Sequence, residues 1–225
     1  WKSDREVRGG NVGSVRDPER QRMARDCLRV LTTTDFFGSY FAHATSYGTL
    51  PGASVLVETV ERLRSDATAS LWIDTGDFSP GGRLSPVSAG SLGFVNAARL
   101  GIDAAVVGNH DLDWGQDHLR RWAPELGFPL LAGNYDLGYP GSTVLAAGPW
   151  SVGVIGMTHP TLDVFNPTLP AATESLDTAI IRVAEEMRRD GVDFVIAAVH
   201  DGVDAAVSAA GRLEPDPRRM EDLCR

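Results

Sequence analysis

The chain has 225 residues, 43% hydrophobic and 23% charged, which suits one sizeable globular domain with a buried core and leaves little room for two. Its formal net charge of -9 argues against a nucleic-acid polymer or an anionic membrane surface as partner. No apolar run approaches the roughly 20 residues of a membrane helix, so no membrane span is expected. Small anionic substrates stay open if metal ions supply positive charge locally.

Residues 1 to about 26 are polar and charged, with Gly9-Gly10 and no apolar period, and read as a flexible leader ahead of a single domain over 27–225. The first residue is Trp1 rather than Met, so neither a targeting segment nor a compartment is legible. Cys27 and Cys224 are the only cysteines, and their spacing suits neither a disulfide framework nor a thiolate metal site.

From Cys27 onward strand and helix signals alternate. Leu28 to Thr34 is rich in β-branched residues and reads as a first strand ending at Asp35. Leu56, Val60 and Leu63 then mark a helix, and Leu71-Trp72-Ile73 a second strand that runs into Asp74-Thr75-Gly76-Asp77. A helix is predicted from about Val87 to Leu100, stopped by Gly101. The apolar run Ala104 to Val107 delivers Gly108-Asn109-His110-Asp111-Leu112-Asp113-Trp114-Gly115.

A helix from Gln116 to Trp122 carries His118, which reads as a surface residue beside Asp117 and Arg120. Pro129 to Ala132 is a fourth strand with Asn134 just past its end, and two more strands are expected near Ser142–Ala146 and Trp150–Met157. Leu176, Ile180, Val183 and Met187 form one apolar helix face, capped by Thr173 or Ser175 and closed by Gly191. Asp193 to Val199 is a continuous apolar strand that ends in His200-Asp201-Gly202. An alanine-rich helix is predicted from Asp204.

Strands without polar alternation are covered on both faces, so the pattern predicts an α/β fold with its active site beyond the carboxyl ends of the strands. Four apolar strands end in Asp35, Asp77, Asn109-His110 and His200, which would converge on one rim. Asp, Asn and His together suit a borderline divalent ion such as Mn, Fe or Zn. Two such ions about 3.5–4 Å apart would clamp a phosphoryl group and activate water.

These residues resemble the calcineurin-like metallophosphoesterase signature, over a stretch from about Leu28 to Gly202. The longer texture is closest to the 5′-nucleotidase branch: Asp74-Thr75-Gly76-Asp77, Gly90, Asn96, Asp103, then Gly108 to Gly115. The resemblance implies a layered αββα sandwich and a metal-dependent phosphoesterase acting on a nucleotide or another small phosphomonoester. It implies that Asp35 binds a first metal, Asp77 bridges two, and Asn109 and His200 bind the second. His110 would stabilise phosphoryl charge or protonate the leaving oxygen, oriented by Asp113. Asn134 would help line the substrate pocket, with a structural turn role an equal alternative. His159 lies at the correct rim to touch substrate, although Pro160 beside it fits an ordinary turn. A secreted or periplasmic location is compatible with the family.

The sequence departs from the family pattern in two places. The first motif, Asp-x-His, is here Asp35-Phe36-Phe37, and a phenyl ring cannot coordinate a metal. The Gly-His-x-His motif expected after His200 does not occur before Arg225. The second metal site is therefore expected to hold its ion better than the first. His43, in the loop beyond Asp35, is a candidate replacement ligand. A degenerate protein that binds phosphate or a partner without turnover is the alternative. A metal-free nucleotide-binding module is a weaker one, because the chain has no Gly-x-Gly-x-x-Gly turn and Lys2 is its sole lysine.

Overall fold

The computed structural model describes residues 27–45, 48–78, 88, 90–202, 205–207 and 213–215; the expected leader lies outside them. Strand β1 (Leu28–Thr33) leads through a small hairpin, β2 (His43–Thr45) and β3 (Gly48–Leu50), to helix α1 (Ala53–Ser65) and β4 (Ala69–Asp74). Helix α2 (Ser91–Ala97), β5 (Ala104–Val106), α3 (Gln116–Trp122) and β6 (Leu130–Leu131) follow. Then come β7 (Ser142–Ala147), β8 (Trp150–Met157), the one-turn α4 (Leu162–Phe165), α5 (Leu176–Arg189), β9 (Phe194–Val199) and a hairpin of β10 (Ala205–Val207) and β11 (Leu213–Pro215).

Two sheets carry the architecture. The first, in the order β1-β4-β5-β6, is parallel throughout. In the second, β7-β8-β9, strand β8 pairs antiparallel with β7 and parallel with β9. Parallel neighbours need crossovers, and the helices that supply them cover the sheets. Strand β4 shows the consequence residue by residue: Trp72 packs into the helix-side core with Val60 and Phe94, whereas Ile73 packs between the sheets with Val106, Leu131, Val154 and Ala198. Each large side chain buried this way stabilises the fold by about 1.5–3 kcal/mol. The outer face of the second sheet is covered by Leu176, Ala179, Val183 and Met187 of α5, against Ile155 and Met157. The result is the expected layered α/β sandwich, helix on sheet on sheet on helix.

Helix α5 shows how closely local sequence sets an element's end. Gly191 takes φ 81°, its N–H donates to the Arg188 carbonyl, and the Val192 N–H donates to the Met187 carbonyl. These two bonds form the glycine-closed helix terminus anticipated from the sequence.

Three local expectations are corrected. The helix predicted up to Leu100 ends at Ala97, because the Arg99 and Leu100 N–H groups bond three residues back, to Asn96 and Ala97, and tighten the chain into turns before Gly101. The helix predicted from Asp204 is instead the β10–β11 pairing, with Ala206 opposite Glu214. Pro215 offers no N–H to a helix, and alanines alone stabilise a short helix in water only weakly. His118 is not a simple surface residue. Its ring lies among Phe94, Trp114 and Trp122, and its Nε2 is buried without a hydrogen-bond partner.

Burial, with a smaller contribution from the Arg121 charge, holds the His118 imidazolium below its ordinary pKa. The unfolded chain therefore binds this proton more readily, and stability is full above the unfolded value near 6.5 and falls as pH drops through the native one. His118→Phe removes that term. Urea denaturation midpoints measured from about pH 5 to 7.5 should fall less steeply towards acid in the variant than in the parent chain.

Candidate active site

The parallel pairing of β1 with β4 carries on past the strand ends. Thr75 donates its N–H to the Thr33 carbonyl (2.8 Å), Asp35 donates to Gly76 (3.0 Å) and Phe37 to Asp77 (2.9 Å). The non-glycine residues with positive φ among those described are Asp35 (52°), Phe37 (47°) and Asp77 (59°), all in these two loops. A left-handed backbone costs a non-glycine residue about 1–3 kcal/mol and concentrates at functional sites. The loop after β4 also passes very close to the loop after β5. A Cβ on Gly76 would lie 2.8 Å from the Gly108 nitrogen and 2.8 Å from His200 Nδ1, and one on Gly108 would overlap the Asp77 carboxylate. Only glycine fits at either position.

Asp111 ties this crossing together. Its carboxylate is 2% exposed, and one oxygen, Oδ2, accepts from the Asp77 N–H (3.0 Å) and the Gly108 N–H (2.9 Å). The Asp77 carboxylate, also 2% exposed, accepts from the His110 N–H at 2.8 Å. Sequence reasoning gives Asp111 no more than a supporting or structural role, because one of its two partners, Asp77, lies on a separate loop. The adjacent Gly108 was the available signal of a close backbone approach. Beneath the loops, burial pushes the Asp74 carboxyl up to about 6, despite bonds from the Thr33 hydroxyl and the Gly76 N–H that act in the other direction.

His200 reaches this crossing from the second sheet. Its Nδ1 donates to the Thr75 carbonyl (2.9 Å), while Nε2 lies 2.9 Å from Asn109 Oδ1 and 3.5 Å from Asp77 Oδ2. Burial works against the imidazolium, but hydrogen bonding and charge attraction from Asp77, with the Thr75 carbonyl, prevail and raise its pKa. The imidazolium proton on Nε2 thus sits among two oxygens that favour a positive charge. Asp77, Asn109 and His200 are a carboxylate, an amide oxygen and an imidazole nitrogen facing one point, a donor set that fits a borderline divalent ion.

The first metal position fits poorly. Asp35 is exposed, and its carboxylate accepts from the Thr34 hydroxyl at 2.6 Å, with no described side-chain contact to Asp77. Phe37 offers no lone pair. His43 lies exposed on β2, with Nδ1 3.3 Å from the Phe41 carbonyl and no described contact to Asp35. Among the described residues no cluster of three His, Cys, Asp or Glu side chains suits a metal. The three-donor set above differs in drawing on an asparagine.

His110 and Asp113 form a pair at the open edge. Nδ1 lies 3.1 and 3.2 Å from the two Asp113 oxygens, and both side chains are about half exposed. This contact places the proton on Nδ1 and leaves Nε2 on the other edge of the ring. The Phe37 ring stands edge-on to the imidazole, with centroids 5.5 Å apart.

Asn134 is 1% exposed and both ends of its amide are engaged: Nδ2 donates to the Thr158 carbonyl (2.8 Å) and Oδ1 accepts from the Thr158 N–H (2.9 Å). Of its two readings, this geometry is the structural one. It fastens the end of β6 to the end of β8 and so places His159, whose ring lies 6.5 Å from that of His200.

No protein-family profile matches the chain. A probable 5′-nucleotidase of Treponema pallidum is 28% identical over 167 residues, covering 67% of this chain and 27% of its own. The structure of a 5′-nucleotidase precursor from Thermus thermophilus superposes with a TM-score of 0.66 at 23% identity, over 78% of this chain and 37% of that one. The calcineurin-like phosphoesterase YfkN of Bacillus subtilis gives 0.64 at 19% identity, over 82% and 65%. The chain is a calcineurin-like phosphoesterase in fold and a relative of the 5′-nucleotidases. It spans about a third or less of the length of the curated relatives it matches.

The double bond to Asp111 Oδ2 is directly testable in this phosphoesterase fold. Asp111→Asn can still present one oxygen to both N–H groups, whereas Asp111→Ala leaves two buried donors unpaired. Chemical denaturation should show the alanine variant less stable than the asparagine variant by roughly 2 kcal/mol or more. Equal stabilities would remove Asp111 as the tie.

Proposed function

We propose that this chain is the catalytic part of a metal-dependent phosphoric ester hydrolase acting on a nucleotide or another small phosphomonoester. One observation carries the reading: Asp77, Asn109 and His200, from three different strand ends, face one point, with the His110–Asp113 pair on the adjoining loop. In this reading Asp77, Asn109 and His200 hold one divalent ion of the Mn, Fe or Zn type. Such an ion, when bound, polarises a phosphoryl oxygen and lowers the pKa of a water.

The chain's own groups do the rest. Asp113 fixes the proton of His110 on Nδ1 and supports positive charge on the ring. His110 then turns Nε2 towards the phosphoryl group, donating to an oxygen that gains charge or to the leaving oxygen. Phe37 closes one side of that imidazole, which limits its rotation. Asp111 holds the loops of Asp77 and Asn109 in fixed relation, so the ligands need no rearrangement to act together. The 5′-nucleotidase names of the curated relatives support a nucleotide as the substrate.

A phosphatase assay across nucleotides and sugar phosphates, with added manganese, tests the reading. Activity should appear with a small phosphomonoester, and His110→Ala should lower kcat by about 10²–10⁴-fold. Full activity in that variant would remove His110 from the chemistry, and phosphate binding with no turnover of any ester would leave a binding protein. After dialysis against zinc, metal analysis should find one tightly held ion per chain, lost in His200→Ala; two would contradict the poor fit at Asp35 and Phe37.

A further inference from the structure

We infer that the cavity beside Asp35 is the subsite for the sugar and base of a nucleoside monophosphate, and that Asp35 accepts hydrogen bonds from the sugar hydroxyls instead of holding a metal. The inference rests on the phosphoesterase reading and adds to it the part of the substrate beyond the phosphoryl group.

A cavity of about 430 Å³ opens between the end of β1 and the first turns of α1, and its lining includes Asp35, Phe36, Ser39, Leu50, Val55 and Leu56. That size suits a small organic group, and most of the wall is apolar. Leu50 and Val55 keep 50% and 47% of their surfaces exposed, which a planar base seated in the cavity would partly cover. Of the polar groups in the lining, the Thr33 hydroxyl is bonded to Asp74, the Thr34 hydroxyl to Asp35 Oδ2, and the Thr59 hydroxyl to the Val55 carbonyl. Among the described residues, Asp35 Oδ1 and the Ser39 hydroxyl are left without a hydrogen-bond partner.

These groups select the ligand by charge. An ionised carboxylate only accepts, so it binds hydroxyl donors and repels a second anionic group. The vicinal hydroxyls of a pentose are a matching donor pair, and the lining holds no cation that would favour an acid. Position supplies the rest. The Asp35 N–H bonds to the carbonyl of Gly76, the residue before Asp77, so Asp35 stands roughly 5 Å, one strand spacing, from the loop of the cradle. An ester whose phosphoryl group sits at the cradle then has its sugar at Asp35 and its base further out, against Leu50, Val55 and Leu56. Asp35 also holds a left-handed backbone with its carboxylate turned to Thr34, a strain for which the metal role has no use.

Adenosine added to the metal-free full chain reads the subsite without turnover. Ligand-observed NMR should show saturable binding, weakened about tenfold or more in Asp35→Ala and equally for 2′,3′-dideoxyadenosine with the parent chain, the two losses not adding. Val55→Trp, at an exposed position of α1, fills the cavity and should abolish binding. With added manganese, the parent chain should hydrolyse adenosine 5′-monophosphate over its 2′,3′-dideoxy analogue by about tenfold or more in kcat/KM, chiefly through KM, and Asp35→Ala should bring that ratio close to one. Absence of adenosine binding, an unaltered ratio in Asp35→Ala, or an equal fall in kcat for every ester including glycerol phosphate, the mark of a metal ligand, would overturn the inference and leave the phosphoesterase reading standing. Asp35-dependent adenosine binding without hydrolysis of any ester would support the subsite and overturn the hydrolase reading.

Discussion

The arrangement of this site depends on one carboxylate oxygen that accepts two backbone N–H groups from different loops. Asp111 Oδ2 holds Asp77 and Gly108 together, and every proposed ligand is positioned relative to that crossing. Asp77 is adjacent to it, Asn109 and His110 follow it directly, and His200 packs over it onto the Thr75 carbonyl. Hydrogen bonds to a charged acceptor stabilise by about 1.5–3 kcal/mol each, enough to offset the left-handed backbone at Asp77. Without the glycines at 76 and 108 the approach is sterically closed, so the tie and the glycines are one feature.

What was legible in the sequence follows from this physics. Apolar strands without polar alternation predict a sheet covered on both faces, and Trp72 and Ile73, buried on opposite sides, realise it. Residues just past such strands gather at the carboxyl rim, and Asp77, Asn109 and His200 do meet there. Less legible were contacts that depend on long-range register. The reciprocal bonds of Asn134 with Thr158 join residues 24 apart, and the Asp111 bond to Asp77 spans 34. No local pattern announces such partners. Of the aromatic neighbours of His118, Trp114 and Trp122 lie four residues to either side along the chain, whereas Phe94 comes from α2 and was not legible locally.

The two halves of the proposed metal site also differ in their physics. Asp77, Asn109 and His200 are held inward by bonds to backbone or to one another. Asp35 faces outward to Thr34, and Phe37 contributes only the edge of a ring. The inward half already accommodates positive charge, since Asp77 raises the pKa of His200 against the cost of burial. In the proposed reading a divalent ion held there would supply positive charge at the same point. The outward half has no comparable preference, and the aromatic ring disfavours a hydrated ion beside it.

In the proposed reading, a phenyl ring at position 37 in place of a ligand would change where charge on a phosphoryl group is balanced. A second cation would supply two positive charges at the first position; here that region presents an aromatic edge and an outward carboxylate. The burden shifts to hydrogen-bond donors around the remaining cradle. A chain of net charge -9 has little long-range field to attract an anion, so short-range donors must do so. In the proposed reading His110, held between Phe37 and Asp113, is one.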